Sequence, residues 1–168
     1  MEQQNPPTTS VPVPSEQMVY MRFRPAWTYI DAIREFGRAF CASAFSESAV
    51  GERVQVVIQE ALENVVKYSL QGTNSELTIS IGLDPTAIEI AVTSCPDPAH
   101  AAYLRNEIES IRDVDPEEAY LAAFRRAAEN PEAASRLGLA RMRLEGRVEL
   151  SVAEAPDGRI SVIARGRA

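Results

Sequence analysis

Apolar and polar residues follow one another along the chain with two different periods, one typical of strands and one typical of helices. Within 17–24 every second residue is strongly apolar, which predicts a strand. From Pro25, which suits the first turn of a helix, apolar residues recur at helical spacing to about Phe45. A second helical pattern covers 52–70, and Gly72 is a suitable cap for its end.

The second half of the chain contains both patterns again. Its strand-like and helix-like stretches are separated by Asp, Pro and Gly residues that are typical of turns and helix starts. They predict strands at 77–83 and 88–93, helices at 99–112, 116–130 and 139–145, and a final hairpin of strands at 147–152 and 159–164. Hairpins segregated from blocks of helices are typical of an α+β fold. We therefore expect a two-layer sandwich, with a mixed or antiparallel sheet and helices packed on one face.

The first residues differ in composition from the rest of the chain. Residues 1–16 are rich in Pro, Gln, Thr and Ser and have little apolar bulk, which is typical of a disordered tail. The remaining residues, 17–168, are enough for one ordinary domain and too few for two. The sequence therefore predicts a tail followed by a single domain.

The balance of charge excludes several classes of partner. The chain carries a formal net charge of -7, so it has no basic surplus for nucleic-acid phosphates or for an anionic membrane surface. No apolar run approaches the roughly 18 residues that span a bilayer, and no secretory signal is recognisable. Cys41 and Cys95 lack metal-ligand spacing and are expected to be reduced, buried packing residues. We expect a cytoplasmic protein that binds neither nucleic acid nor membranes.

One face of the helix predicted at 52–70 carries a row of polar side chains. Glu60, Asn64 and Lys67 recur at helical spacing, opposite an apolar face. Such a row could serve phosphoryl transfer, because a carboxylate can act as a base, an amide oxygen can bind magnesium and an ammonium can offset phosphate charge. Amphipathic helices also present polar residues to solvent, and the spacing alone favours that simpler interpretation.

The residues around this row resemble the N-box of GHKL (histidine-kinase-like) ATPases. In that family a Glu is followed after four residues by an Asn and after four more by a His or Tyr, and Glu60, Asn64 and Tyr68 match this pattern. Lys67 also matches. The resemblance, in its anti-sigma-factor serine kinase form, covers about 17–168 and implies a Bergerat-like ATPase fold with ATP and magnesium as cofactors. It further implies that Glu60 is the general base and Asn64 the magnesium ligand, within a nucleotide site that includes Lys67 and Tyr68.

The segment that binds adenine in this family departs from the family pattern here. Where the family has an Asp-x-Gly-x-Gly turn, this chain reads Ser-Cys-Pro-Asp-Pro over 94–98. Ser94 stands for the aspartate and keeps a hydrogen-bonding group, while the prolines at the two glycine positions remove backbone donors and fix φ. Asp97, in a shifted register, is an alternative partner for adenine.

The segment that wraps the phosphates in this family is also altered. Of its three glycines only Gly138 has an equivalent here, although a backbone that cradles phosphate needs φ values that glycine adopts freely. Arg136 could contact a phosphate by charge, beside Leu137 and Gly138 in the same nucleotide-binding segment. Alternatively, Leu137, Gly138 and Leu139 simply begin a packed helix.

The stretch between these two segments indicates a branch of the family. It reads as two amphipathic helices in place of a flexible ATP lid, and a Leu-Gly-Leu-Ala-Arg-Met sequence follows. Both features resemble the SiaB-like branch, which implies a bacterial partner-switching protein that binds a STAS-like anti-sigma antagonist or a sigma-like target. Homodimerisation is plausible by the same resemblance.

Three functions are consistent with this sequence. The first is a regulatory protein, a degenerate GHKL domain that binds a protein partner and uses ATP weakly or not at all. The second is an active serine/threonine protein kinase that depends on ATP and magnesium. The third is a structural dimerisation domain.

The remaining charged candidates are expected to be ordinary surface residues. His100 is the one histidine of the chain and has no Ser or Cys partner in a recognisable motif, so we expect it to be exposed. Arg141, Arg143 and Arg147 alternate with Glu145 and other acidic residues, which predicts a mixed, solvated surface.

Overall fold

The computed structural model describes residues 17–69, 76–130 and 134–168. The strands within these ranges are β1 (Gln17–Phe23), β2 (Leu77–Asp84), β3 (Ala87–Ser94), β4 (Val148–Glu154) and β5 (Ile160–Arg167). The helices are α1 (Trp27–Phe45), α2 (Ser48–Tyr68), α3 (Pro98–Ile111), α4 (Pro116–Glu129) and α5 (Ala134–Gly146). None of these described helices is both long and apolar enough to cross a membrane. The tail predicted at 1–16 and the helix end predicted at Leu70 and Gly72 lie outside the described residues.

The five strands form one open sheet in the order β1-β2-β3-β5-β4, and every neighbouring pair is antiparallel. The register aligns a row of apolar residues across all five strands: Met21, Ile79, Val92, Val162 and Val152. This row packs into the hydrophobic core. The α+β sandwich expected from the sequence is thus confirmed, and its sheet is the antiparallel of the two forms that were expected.

The helices α1 and α2 cross at very short range. A Cβ atom built on Gly51 of α2 would lie 2.5 Å from the backbone carbonyl oxygen of Arg38 in α1. On the other side of the crossing, Gly37 of α1 leaves space for the side chain of Ile58. Cys41 is fully buried in α1, and burial raises the pKa of its thiol to about 11. Cys41 is therefore a packing residue, as expected, while Cys95 is half-buried.

Several helix ends differ from the sequence prediction. α2 begins at Ser48, four positions before the predicted start at residue 52. α2 ends at Tyr68 because Ser69 takes an extended conformation and forms a β-bridge with Pro96. α5 begins at Ala134, five positions before the predicted start at residue 139. The predicted phosphate-binding segment, which includes Arg136, Leu137 and Gly138, therefore lies in the first half of a helix.

Arg143 of α5 holds the loop that connects α3 to α4. Its guanidinium is buried, with a side chain 4% exposed. It donates hydrogen bonds to the carbonyl oxygens of Ile111 and Val114, the latter at 2.9 Å. The expectation that Arg143 belongs to a solvated surface is therefore wrong.

Candidate functional site

A narrow cleft opens at the C-terminal end of α2, where that helix meets the end of β3, the start of α3 and the first half of α5. Both the altered segments and the polar row of α2 contribute to it. Its lining residues are Ala61, Asn64, Val65, Tyr68, Ser69, Val92, Ser94, Pro96, His100, Leu104, Leu139, Met142, Ile160 and Val162. Three of the predicted site residues, Asn64, Tyr68 and Ser94, line this cleft.

Glu60, the predicted general base, is engaged in an ion pair. Its side chain is 15% exposed, and its Oε1 accepts a hydrogen bond of 2.9 Å from Nη1 of Arg141 in α5. Burial raises the pKa of Glu60, and the ion pair with Arg141 opposes that rise. Arg141 is held in place by a second carboxylate, since its Nε donates to Glu145 at 2.9 Å. The predicted base is thus half of an ion pair that joins α2 to α5.

Gly138 brings the backbone of α5 directly against the polar row of α2. A Cβ atom at this position would lie 2.6 Å from Oε2 of Glu60 and 3.8 Å from Nδ2 of Asn64. The absence of a side chain at Gly138 thus leaves room for the Glu60 carboxylate at the contact between α2 and α5. Among the residues that the structure describes, no three His, Cys, Asp or Glu side chains converge as a metal site.

Three aromatic rings are stacked where α2 meets α3, and two of them, Tyr68 and His100, line the cleft. The ring centroids of Tyr68 and His100 are 3.9 Å apart with an interplanar angle of 18°. Tyr103 follows on the other side of His100 at 5.4 Å and 29°. His100 is only 9% exposed, so the expectation of an ordinary exposed histidine is wrong. We call this set of three rings the aromatic stack.

The cleft as arranged does not fit a nucleotide. Its cavity volume is about 20 Å³, which is little more than the space needed for one water molecule. Pockets for small molecules usually measure about 300–1,000 Å³. Glu60, the predicted base, is paired with Arg141, and the stacked rings of Tyr68 and His100 line the cleft. The residues present do not suit ATP or magnesium in this arrangement.

The other predicted site residues have separate positions. Lys67 does not line the cleft: its Nζ lies 3.2 Å from Oε2 of Glu63 and 5.7 Å from the ring centroid of Trp27. Ser94 is buried in the cleft wall. Asp97 caps α3, since its Oδ1 accepts from the backbone N–H groups of Ala99 and His100 at 2.9 Å each.

Two further predicted residues belong to α5. Leu137 is half-buried. Arg136 lies in the first turn of the helix, and its side chain is outside the described part of the chain. The structure thus joins Glu60, Asn64, Tyr68, Ser94 and Gly138 in one place and leaves Lys67 and Asp97 with other partners. The catalytic and binding roles assigned to all these residues remain predictions.

Sequence reasoning missed three residues of the site: His100, Tyr103 and Arg141. Arg141 was assigned to a solvated surface, which is wrong, because it pairs with Glu60 across 81 positions of sequence. One local signal was present for the rings. His100 and Tyr103 are three residues apart behind the Asp-Pro start of α3, so they share a helix face.

Acid sensitivity is an expected consequence of burying His100. Burial lowers the pKa of His100, and the carboxylate of Asp97 opposes this weakly. The folded protein therefore binds a proton less readily than the unfolded chain, whose histidine titrates near about 6.5. The contribution of neutral His100 to the free energy of unfolding is therefore full above that pH and decreases as the pH falls below it. Between about pH 7.5 and about pH 5.5, we expect the melting temperature of the wild type to fall further than that of His100→Phe.

The His100→Phe variant is a suitable reference because it keeps a ring between Tyr68 and Tyr103 and cannot titrate. Carboxylates elsewhere in the fold add an acid response that is common to both proteins. The measured quantity is therefore the difference between the two melting curves. Equal losses for wild type and variant would mean that His100 is protonated as easily in the folded state as in the unfolded one.

The fold and the cleft define a two-layer α+β protein whose cleft is filled by its own side chains. No family model and no curated protein matches the chain. Its fold is similar to that of a chain in the crystal structure of the SiaB-SiaC complex from Pseudomonas aeruginosa. The TM-score is 0.66 at 17% sequence identity, and the match covers 89% of this chain and 89% of the other. At this identity the similarity shows the fold alone.

Proposed function

We propose that this protein is a regulator of the partner-switching type, a degenerate GHKL domain that binds another protein and uses ATP weakly or not at all. The observation that carries the proposal is the filled cleft. The stacked rings of Tyr68 and His100 line the cleft, and Glu60, the predicted catalytic carboxylate, is paired with Arg141. Because side chains of the domain itself close the cleft, we expect the domain to act by binding another protein on its outer surface.

Two observations support a protein partner in particular. The structural neighbour was crystallised as a complex of two proteins, SiaB and SiaC, and we propose that the present chain also works through such a complex. Its helix α1 exposes several large side chains: Trp27 at 55%, Tyr29 at 50% and Phe36 at 43%. Exposed aromatic groups gathered on one helix are typical of protein interaction surfaces. We propose a STAS-like or sigma-like regulator as the partner.

Mg-ATP is expected to leave the melting temperature of the wild type unchanged at millimolar concentration. A ligand present at 100 times its dissociation constant would stabilise the fold by about 2.7 kcal/mol, which for a domain of this size shifts the melting temperature by several degrees. The absence of a shift would follow directly from a cavity of about 20 Å³. Differential scanning fluorimetry, with isothermal calorimetry as a second measurement, checks this expectation.

A kinase remains the second candidate, because Glu60, Asn64 and Gly138 are still adjacent. If ATP does shift the melting temperature, Asn64→Ala and Lys67→Ala form a matched pair of variants. Both shorten a polar side chain of α2, but only Asn64 lines the cleft. A shift that is lost in Asn64→Ala and kept in Lys67→Ala would contradict the proposal and favour the kinase.

The partner itself is tested by affinity purification of the tagged protein from its native cell. The expected result is a stoichiometric STAS-like or sigma-like protein, identified by mass spectrometry and confirmed with the two purified proteins. Addition of Mg-ATP should not change the amount recovered. A purified complex that forms only with Mg-ATP, or a chain that pairs only with itself, would contradict the proposal.

A further inference from the structure

A second, open groove lies at the other end of β5 from the cleft. Its walls come from α2, from the residue before β4 and from the β4–β5 pair, and it encloses about 530 Å³. The residues that line it are Arg53, Arg147, Glu149, Arg165, Gly166 and Arg167. At about 3.3 Å per strand residue, Gly166 lies roughly 20 Å along β5 from Ile160 in the cleft. We call this second site the arginine groove.

Packing of the C-terminal end of α5 brings the arginines of the groove together. A Cβ atom on Gly146 would lie 2.4 Å from Cγ2 of Val57 and 3.7 Å from the carbonyl oxygen of Arg53. α5 therefore ends against the first half of α2, and Arg147 follows at once. Gly166 permits the same close approach from β5, since its Cβ would lie 3.0 Å from the carbonyl oxygen of Arg147.

Positive charge in the arginine groove is only partly neutralised. Arg165 pairs with Glu89 across β3 and β5. Over 17–69, 76–130 and 134–168, no ion pair or hydrogen bond of a side chain engages Arg53, Arg147 or Arg167. The chain as a whole carries a net charge of -7. Unpaired guanidinium groups are thus concentrated in one groove of an acidic protein.

The backbone of Arg147 supplies an independent observation. Its φ is 52°, in the left-handed region that is unfavourable for residues with a Cβ atom and that glycine adopts freely. Helices often end with a residue in this conformation, usually glycine, and Ser46 has it after α1. An arginine kept at such a position can serve a function. An arginine after a helix C-terminus can also be retained because it interacts favourably with the helix dipole. These two explanations predict opposite effects of glycine on stability, which makes Arg147 the decisive position.

We propose that the arginine groove binds an acidic segment, rich in Asp and Glu, of a protein partner. A guanidinium donates two parallel N–H bonds to a carboxylate, which gives arginine the geometry for this task. The remaining acidic surface repels such a segment, so the groove directs both its place and its orientation. The same repulsion acts more strongly on long polyanions such as nucleic acids. The proposal deepens the proposed function, on which it rests only for the existence of a protein partner.

The test measures fluorescence anisotropy of a labelled ten-residue peptide of alternating Glu and Ala, at low salt, with the full chain. The control peptide carries Gln in place of each Glu. The acidic peptide is expected to bind at least about tenfold more tightly than the Gln peptide, and its binding should weaken as salt screens the charges. Arg147→Gly should weaken it by about tenfold, with a melting temperature equal to or above that of the wild type.

Arg159→Gln is the matched control, because it removes one exposed positive charge from the β4–β5 turn, away from the groove. It should bind the acidic peptide as the wild type does. Equal weakening in Arg147→Gly and Arg159→Gln would overturn the proposal, since it would reflect net charge alone. A lower melting temperature of Arg147→Gly would show that Arg147 is retained for stability. Tighter binding of a single-stranded oligonucleotide than of the acidic peptide would assign the groove to another ligand.

The peptide experiment and the ATP experiment give separate answers. Binding of Mg-ATP in the cleft would contradict the proposed function and leave peptide binding to the arginine groove unaffected. Failure of the wild type to bind the acidic peptide at low salt would overturn this inference alone.

Discussion

Replacement of Arg143 by Met is expected to lower the free energy of unfolding by about 3 kcal/mol. The methionine fills most of the same volume, so the loss arises from polar contacts. The buried carbonyl oxygens of Ile111 and Val114 both accept from the Arg143 guanidinium, and each would be left without its charged donor. Urea denaturation followed by circular dichroism measures the change.

Arg112→Met is the control for this prediction. Arg112 lies in the same α3–α4 connection, but its guanidinium is exposed and pairs only with Glu109 on the preceding turn. Surface pairs of this kind contribute about 0.3–0.5 kcal/mol. Comparable losses in the two variants would contradict the idea that Arg143 anchors the connection. A loss of stability found only in Arg143→Met would show that Arg143 anchors the α3–α4 connection to α5.

The elements that sequence predicted well are those specified by neighbouring residues. Asp115 and Pro116 start α4 as expected, because the Asp115 carboxylate accepts from the N–H groups of Glu117 and Glu118. Strands β2 and β3 were predicted within one residue at each end, because alternation and the turn after Asp84 are local signals. The antiparallel order of the whole sheet needed the structure, since neither signal identifies the partner of β1.

The start of α5 was predicted five residues late for a physical reason. Glycine lowers helix propensity, so the helical pattern was recognised only from residue 139. In the structure the helix runs through Gly138, whose missing side chain leaves room for the Glu60 carboxylate. The reason for the glycine is a contact with another helix, and a single sequence does not contain that information.

The position of the site was predictable and its state was not. Helical spacing grouped Glu60, Asn64 and Lys67, and the family resemblance added Tyr68. In the structure Asn64 and Tyr68 line the cleft, Glu60 lies near Asn64 against Gly138, and Lys67 does not line the cleft. Whether they face a ligand depends on residues far away in sequence: Arg141 neutralises Glu60, and His100 covers Tyr68. The two prolines after Ser94 did indicate that the adenine side had changed. They gave no indication that the ring of His100 from α3 stacks on Tyr68.

These contacts give the polar row of α2 a structural explanation that does not require catalysis. Glu60 pairs with Arg141 of α5, Asn64 lies near Gly138 of α5, Tyr68 stacks on His100 of α3, and Lys67 pairs with Glu63 and lies over Trp27. A pattern that resembles a nucleotide site can thus persist while its side chains stabilise helix packing. The same contacts would have to open before a nucleotide could enter. This is why the ATP measurement distinguishes the regulator from the kinase.

Gly51→Ala is expected to lower the free energy of unfolding by about 2 kcal/mol, although alanine favours helices by about 1 kcal/mol over glycine. The added methyl group would lie 2.5 Å from the Arg38 carbonyl oxygen and 3.0 Å from Cβ of Ala42. Backbone cannot move aside as a flexible side chain does, so α1 and α2 must separate and loosen the core between them. Glu52→Ala, at the next and exposed position of α2, should change stability by less than about 0.5 kcal/mol. A Gly51→Ala protein more stable than the wild type would mean that the two helices do not approach as closely in solution, and urea denaturation of the three proteins decides between these outcomes.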